Sequence, residues 1–327
     1  MSKFFAYAAC AAVCVLSVFT SCQKEVLSGQ TSEERVTLTI DVTNPDTKVL
    51  SVEDEATVKN YQVFLFKDSG IIEDYVSQSS SKIKLDCTVG DKSIIVLVNG
   101  PAMGDIMDID SFYARTSLLS DNTPDAFVME GRQDVRILNT EGAYISIVVT
   151  RKVARVQLSS LSVEIDMPQY KNLPFKVQSV YLINVPAEMP YFETVESTLW
   201  YNKSGYVQED YNDLTYDDMG DFEITAETPY EAGNVFYCYP NNVGKDSFDE
   251  EWCPRSTRLV VEATLGDEKY YYPVKLPKLE QNMRYEVNLV VTRPGCATPD
   301  SDIKKFAADF NITVNNWAIG STIHKEI

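Results

Sequence analysis

The 327-residue sequence predicts an all-β protein with two antiparallel β-sandwich domains in tandem. Three observations support this. Apolar and polar residues alternate in many short segments, which is typical of half-buried strands. Turn formers such as Asn44-Pro45-Asp46 and Asp68-Ser69-Gly70 separate these segments. Only residues 110–119 have a helical pattern, with Asp110 or Ser111 as the expected cap. Many short strands with regular turns indicate sandwiches rather than strand–helix units.

The N-terminus carries an export signal. Lys3 precedes an almost unbroken apolar run over residues 4–19, which is short for a membrane span and is followed by Thr20-Ser21-Cys22. This ending is similar to the lipobox of bacterial lipoproteins, where the signal is cut before the cysteine and the thiol carries lipid. We therefore predict a lipoprotein signal peptide over residues 1–21, cleavage between Ser21 and Cys22, and lipidation of Cys22. The alternative is a plain signal peptide with an incidental cysteine.

The charge balance and the single histidine exclude several function classes. The chain has 29 Lys and Arg against 48 Asp and Glu, a net charge of −19, so it lacks the basic stripe of a nucleic-acid-binding protein. His324 is the only histidine, which argues against a Ser-His-Asp triad or a multi-histidine zinc site. We predict no catalytic residues, no metal site and no cofactor. Contact with a membrane is expected only through lipid on Cys22.

The cysteines do not form a disulfide framework. Two of them leave with the signal, Cys22 is the lipid site, and the four that remain show no Cys-x-x-Cys spacing: Cys87, Cys238, Cys253 and Cys296. We interpret these four as buried or unpaired. A single Cys238–Cys253 bond across a hairpin is the alternative.

The predicted strands fall into two groups. In the first strand Val36, Leu38, Ile40 and Val42 share one face. The same pattern recurs in residues 61–66, 93–98, 144–149, 155–161, 176–183, 235–239, 259–265, 270–274, 285–291 and 310–314. A basic hinge, Arg151-Lys152-Val153-Ala154-Arg155, separates the groups. We predict sandwiches over residues 49–150 and 151–327, of transthyretin-like or Greek-key topology. A long acidic loop over about residues 188–228 is expected to interrupt the second.

Other candidate binding motifs are weak. The acidic segment 209–221 is a possible calcium site, but it lacks EF-hand spacing and fits a solvated loop better. Trp200-Tyr201 and Tyr270-Tyr271-Tyr272 have the residue types that stack on sugar rings, but packing in the core or at an edge explains them better. No spacing selects a carboxylate pair for glycoside hydrolysis. The sequence therefore favours a protein that is not an enzyme.

The two ends of the chain carry the clearest functional signal. Lys48-Val49 follows the first strand in a predicted exposed loop where a trypsin-like protease can cut, and Arg35 is the second choice. Residues 22–48 then form a propeptide that contains the first strand. At the other end Ile319, Ile323 and Ile327 share one face of an extended segment. Residues 318–327 are either the last strand of their own domain or a donor strand for a neighbouring molecule.

Six segments together resemble the fimbrillin family of Bacteroidales, the subunits of protease-assembled (type V) pili. The resemblance covers essentially the whole chain. It rests on Thr20-Ser21-Cys22, Arg151-Lys152-Val153-Ala154-Arg155-Val156, Tyr181-Leu182-Ile183-Asn184, Tyr237-Cys238-Tyr239-Pro240-Asn241, Asn282-Met283-Arg284-Tyr285-Glu286-Val287 and Val314-Asn315-Asn316-Trp317.

The resemblance implies a function. Family precursors reach the outer membrane as lipoproteins, and a protease, Arg-specific in the best-known members, removes the lipid and the first strand. The opened groove then accepts the C-terminal segment of another subunit. On this chain the cut would follow Lys48. The implied partners are copies of itself or related pilus subunits, the maturation protease and a host or bacterial surface ligand. The implied locations are the cell outer membrane and the extracellular fimbrium. An uncut chain would be a tip or accessory subunit, and the runner-up is a surface lipoprotein that binds glycans.

Overall fold

A computed structural model describes residues 35–43, 53–138, 142–205, 212–225, 228–247, 252–302, 308–317 and 325–326. These residues belong to one compact unit. The first half contains strands β1 Arg35–Thr43, β2 Tyr61–Lys67, β3 Ile72–Gln78, β4 Lys82–Thr88, β5 Gly90–Val98, β6 Thr116–Leu118, β7 Met129–Ile137, β8 Ala143–Val148 and β9 Thr150–Arg151. One short helix, α1 Ile109–Tyr113, and two 3-10 turns, Glu53–Ala56 and Leu119–Asp121, lie between them.

The second half is also built of strands. They are β10 Ala154–Val163, β11 Phe175–Ile183, β12 Val185–Pro186, β13 Glu188–Pro190, β14 Trp200–Tyr201, β15 Tyr216–Ile224, β16 Tyr230–Cys238, β17 Arg258–Leu265, β18 Glu268–Lys275, β19 Met283–Val291, β20 Ala308–Asn316 and β21 Lys325–Glu326. A 3-10 turn, Lys203–Gly205, and a one-turn helix, α2 Asn212–Thr215, precede β15. No helix of the described residues is long and apolar enough to cross a membrane.

The strands form two sandwiches, which confirms the predicted fold class. In the first, sheet β4-β1-β8 faces sheet β3-β2-β5-β7-β9 across one apolar core. In the second, sheet β16-β10-β19-β20-β21 faces sheet β15-β11-β17-β18 across a larger core. The ladders between these strands are antiparallel except β1 with β8 and β10 with β19, which run parallel.

The two sandwiches share one topology. The order β4-β1-β8 matches β16-β10-β19, and the order β3-β2-β5-β7 matches β15-β11-β17-β18, with the corresponding strands in the same chain order. β1 and β10 are therefore equivalent, since each pairs antiparallel on one side and parallel on the other. The main addition in the second sandwich is β20, which extends its first sheet beyond β19.

The helix begins earlier and is shorter than predicted. Asp108, not Asp110 or Ser111, is its N-cap, because the Asp108 carboxylate accepts from the Ser111 backbone at 2.7 Å and the Ser111 hydroxyl closes the capping box. Residues 116–118 then pair with β13 as strand β6, which ends the helical stretch.

The predicted acidic loop over residues 188–228 is wrong, since it contains β13, β14 and β15. β15 is an edge strand that pairs only with β11 among the described strands, so its outward acids remain in solvent. Trp200 and Tyr201 are both 3% exposed and pack inside, as does Tyr272, whereas Tyr270 and Tyr271 are half-buried.

Buried ion pairs hold together the loops at one end of the second sandwich. The Arg258 guanidinium is fully buried and donates to Asp246 at 2.7 Å, and Arg255 pairs with Asp300. Burial alone would raise the pKa of Asp246, but hydrogen bonds from Ser256 and the nearby Arg258 and Lys275 hold it below its ordinary value of 3.8.

We expect Asp246→Asn to lower the free energy of unfolding at pH 7 by about 3 kcal/mol, because it removes the buried carboxylate that pairs with the buried Arg258 guanidinium. Since the pKa of Asp246 is lower in the folded chain, its stabilisation is present above pH 3.8 and is lost as the pH falls through the folded pKa. Urea unfolding should therefore show a difference from wild type that shrinks on acidification. Asp302→Asn is the control, because Asp302 also pairs with Arg258 but its side chain is 77% exposed. An equal effect of both substitutions would contradict this interpretation.

Candidate functional site: the first strand and the root of the C-terminal tail

Strand β1 is the middle strand of its sheet. It pairs antiparallel with β4, where Leu38 lies opposite Leu85, and parallel with β8, where Ile40 lies opposite Ile145. Because both edges of β1 are hydrogen-bonded, removing it would expose two facing strand edges and the core beneath them. The gap would have the length and backbone pattern of one strand.

The inward side chains of β1 form part of the core. Val36, Leu38, Ile40 and Val42 are 7%, 0%, 0% and 5% exposed and pack in the first sandwich. At ~1.5–3 kcal/mol for each buried aliphatic side chain, they contribute roughly 6–12 kcal/mol before entropy is counted. This is comparable with the stability of a whole domain, ~5–15 kcal/mol.

The outward side of β1 is held by few side chains. The Thr37 hydroxyl donates to Asp86 at 2.9 Å and Tyr144 donates to Asp41 at 2.7 Å, both at exposed positions. Exposed hydrogen bonds of this kind contribute little. Backbone ladders and apolar burial, which many alternating sequences can supply, therefore dominate the attachment of β1.

A buried carboxylate joins the start of the first sandwich to the second. Glu55, in the 3-10 turn Glu53–Ala56, is 5% exposed. Its Oε1 accepts from Arg155 Nε at 3.0 Å and from the Tyr237 hydroxyl at 2.6 Å, and its Oε2 accepts from Trp317 Nε1 at 3.0 Å. We call Glu55, Arg155, Tyr237 and Trp317 the end clamp. Burial and the hydrogen bond to Glu55 raise the pKa of Tyr237, so its hydroxyl stays a donor.

The end clamp joins two described segments, one that follows the predicted cut and one that precedes the predicted donor segment. Glu55 lies shortly after the predicted cut at Lys48, and Trp317 immediately precedes the predicted donor segment 318–327. The Arg151 guanidinium stacks 4.5 Å from the Trp317 ring and donates to the Glu55 carbonyl at 3.0 and 3.2 Å. Burial lowers the pKa of Arg151 to about 10, so it remains charged at neutral pH.

The basic segment at residues 151–155 is a buried junction rather than an open hinge. Arg151 and Lys152 are each 1% exposed. The Lys152 ammonium contacts Glu130 at 3.0 Å and the Pro190 carbonyl at 2.8 Å. Burial lowers the pKa of Lys152, although Glu130 favours its charged form. A run of basic residues in the sequence does not reveal that each has a buried partner.

Most of the predicted processing and donor residues lie outside the described residues: Ser21, Cys22, Lys48, Val49, Ile319, Ile323 and Ile327. Arg35 is described; it begins β1, opposite Thr88, and donates to the Asp86 carbonyl at 3.0 Å. Lys325–Glu326 forms a short antiparallel ladder with β20.

The cysteines do not pair. Cys87 and Cys238 are buried, Cys253 and Cys296 are half-buried, and all four are free thiols. The alternative of a Cys238–Cys253 bond is therefore wrong in this structure. Burial raises the pKa of the Cys238 thiol to about 12, which makes it inert at neutral pH. No cluster of three or more His, Cys, Asp or Glu suited to a metal ion occurs among the described residues.

Glu55 is the functional-site residue that sequence reasoning missed. Its partners lie 100, 182 and 262 positions further along the chain. One acidic residue among the 48 of the chain gives no local signal of such contacts. Its partners Arg155, Tyr237 and Trp317 each lie in a segment that was singled out beforehand, but nothing in the sequence connects them with Glu55.

Solved structures of Bacteroidales surface proteins share this fold. A proposed cell adhesion protein from Bacteroides eggerthii DSM 20697 superposes with a TM-score of 0.67 at 18% identity, covering 87% of this chain and 96% of that one. A fimbrilin from Porphyromonas gingivalis W83 gives 0.62 at 16% identity, covering 88% and 99%. The tip fimbrial protein Mfa3 from Porphyromonas gingivalis, with a C-terminal truncation, gives 0.53 at 13%, covering 85% and 99%. No family model and no curated protein matches the chain. At these identities the likeness shows a common two-sandwich fold.

Proposed function

We propose that this protein is a structural subunit of a cell-surface pilus that polymerises by strand exchange and supports adhesion, and that it is not an enzyme. The observation that carries the proposal is the position of β1. It fills a core groove between two strand edges, yet it lies at the N-terminal end of the described chain, where one backbone cut would separate it from the rest. The fold shared with a fimbrilin and a fimbrial tip protein supports the same conclusion.

The proposed pathway has three steps. The chain is exported as a lipoprotein, cleaved between Ser21 and Cys22, and anchored to the outer membrane through lipid on Cys22. A protease then cuts between Lys48 and Val49, and β1 leaves with the lipid. A cut after Arg35, the second choice, would release the lipid but leave β1 on the chain. Residues 318–327 of another copy or a related subunit enter the empty groove, so that mature molecules join in an extracellular fimbrium.

The energetics explain why cutting must come first. A donor that places Ile319, Ile323 and Ile327 in the groove gains roughly 5–9 kcal/mol by burial, against roughly 6–12 for the four aliphatic side chains of β1. Before the cut, β1 is also covalently tethered, which gives it a high effective concentration at the groove. A free tail therefore cannot displace an uncut β1, and proteolysis controls assembly.

We expect deletion of residues 318–327 to leave a folded precursor that is cut normally but forms no fibres. The deletion begins after Trp317, the last described residue of the second core, and removes the short ladder of Lys325–Glu326 with β20. Electron microscopy and size-exclusion chromatography after protease treatment measure the outcome. Fibres from the deleted, cut protein would refute the donor assignment.

Point substitutions test whether only one face of the tail binds in the groove. Ile323→Asp should block polymerisation, because it places a charge at an apolar groove position. His324→Asp, one residue on and on the opposite face, should leave polymerisation intact. If both substitutions block assembly equally, the tail does not bind by alternating burial.

A further inference from the structure

The outer face of the second sandwich carries a groove that strand exchange does not use. It has a volume of about 770 Å³ and lies on sheet β15-β11-β17-β18, beside residues 204–205 and 297–299. The equivalent face of the first sandwich is closed by the chain itself, where Phe112 and Tyr191 pack over Phe64 in a separate apolar cluster. On the second sandwich the corresponding outer face is covered only in part, which leaves the groove open.

Tyrosines form the aromatic part of the groove. Tyr181 and Tyr216 stack with ring centroids 5.8 Å apart and an interplanar angle of 29°. Tyr271 lies on β18 opposite Glu262 on β17. Tyr216 and Tyr271 are half-buried and packed against a small cluster that contains Tyr181. A tyrosine offers an apolar ring face and a polar hydroxyl. It therefore suits a binding surface that is in contact with water when empty and is covered when a ligand binds.

The polar groups of the groove combine acceptors with one donor cation. Glu262 accepts from Lys269 through Oε1 and from the Tyr181 hydroxyl, at 3.4 Å, through Oε2. Gln178 Nε2 donates to Asp221 at 3.3 Å, while the buried Gln178 Oε1 has no partner. The exposed Asp218 also lines the groove. Acceptors and a donor are thus placed around aromatic rings.

This chemistry selects among ligand classes. Carboxylates at Asp218, Asp221 and Glu262 on a chain of net charge −19 disfavour phosphates and acidic sugars. A basic peptide is a poorer fit for two reasons. Lys269 already pairs with Glu262, and its ammonium has only hydrogen-bond donors, which cannot accept from the donors of a basic peptide. Hydroxyl groups both donate and accept, and a sugar ring also presents an apolar face. The volume is within the range of small-molecule sites, roughly 300–1,000 Å³.

We propose that this groove binds a neutral carbohydrate, with Tyr216 and Tyr271 against the sugar rings and with Glu262 and Asp218 accepting from hydroxyls. The inference is independent of strand exchange, since the groove lies on the second sandwich, β1 belongs to the first, and the test uses the uncut monomer. It places the sugar-stacking role considered for Tyr271 from the sequence in a defined groove of the second sandwich.

The test uses the uncut chain on a glycan array that holds neutral, sialylated and sulfated oligosaccharides, followed by calorimetry with the best neutral member. We expect binding of neutral glycans, weakened about tenfold or more by Tyr271→Ala and by Asp218→Asn. Tyr144→Ala is the matched control, because Tyr144 is 63% exposed on β8 of the other sandwich. Circular dichroism verifies that each variant is folded.

Binding of neutral glycans that falls in the groove variants but not in Tyr144→Ala supports the proposal. Three results would overturn it: no neutral glycan bound, binding that the groove variants leave unchanged, or binding of acidic glycans or a trilysine peptide in place of neutral glycans. None of these results bears on polymerisation, so the pilus-subunit proposal would stand or fall separately.

Discussion

Replacing Leu38 and Ile40 together with alanine is expected to lower the free energy of unfolding of the uncut chain by at least about 4 kcal/mol. Both side chains are fully buried in the first sandwich. Each truncation removes burial and leaves a cavity, which costs about 2–5 kcal/mol in a packed core. The two sites are neighbours, so the sum need not be additive. Urea unfolding monitored by circular dichroism measures the change.

The matched control lies on the other face of the same strand. Thr37→Ala with Thr39→Ala keeps both ladders and removes only outward side chains, so we expect a change within about 1 kcal/mol. If the inward pair were as harmless as the outward pair, β1 would contribute little to the core. Its removal would then create no groove that needs filling.

The second large effect is expected at Glu55. Glu55→Ala should lower the free energy of unfolding by about 3–5 kcal/mol. The substitution breaks a buried ion pair, so the charged Arg155 side chain stays in the interior without the carboxylate of Glu55. The same substitution removes the acceptor of Trp317 Nε1. We therefore also expect faster tryptic cleavage near the root of the tail, which gel electrophoresis measures.

Asp125→Asn is the control for Glu55. Asp125 pairs with Lys59 at 2.9 Å, but both side chains are more than half exposed, so the pair should contribute about 0–1 kcal/mol. A Glu55→Ala chain that unfolds like this control, with an equally protected tail root, would show that the end clamp does not hold the two ends together.

The alternation of apolar residues predicted the fold class because it is a local property of each strand. β1 is the best example: the spacing of Val36, Leu38, Ile40 and Val42 indicated one buried face, and all four are buried. Strands whose exposed face is charged were harder to find. In β15 the outward acids mask the pattern, so an edge strand was predicted as a loop.

The end clamp and the buried junction could not be predicted, since they depend on contacts between distant segments. Arg151, Lys152 and Arg155 were predicted as part of a basic hinge between the two groups of strands, and the structure shows that each is buried against an acid, a carbonyl or a ring. Likewise, the tyrosine groove needs residues from four strands. Tyr271 was singled out in sequence, but nothing local connects it with Glu262 or Asp218.

A native thiol lies beneath the strand that is proposed to be exchanged. Cys87 is fully buried on β4 opposite Val36, and its Sγ contacts the Val36 carbonyl at 3.6 Å. Burial raises its pKa, chiefly by desolvation, with a further contribution from Glu73. While β1 is in place, the thiol should therefore resist alkylation.

Labelling of Cys87 tests strand exchange most directly. The chain starts at Gln23, carries Cys253→Ser and Cys296→Ser, lacks residues 318–327, and has a specific protease site after Lys48. We predict that Cys87 is protected in the uncut chain, is labelled once the cut peptide has been removed, and is protected again when a second chain with an intact tail is added. Equal labelling in all three states, or protection that an intact tail fails to restore, would contradict the account.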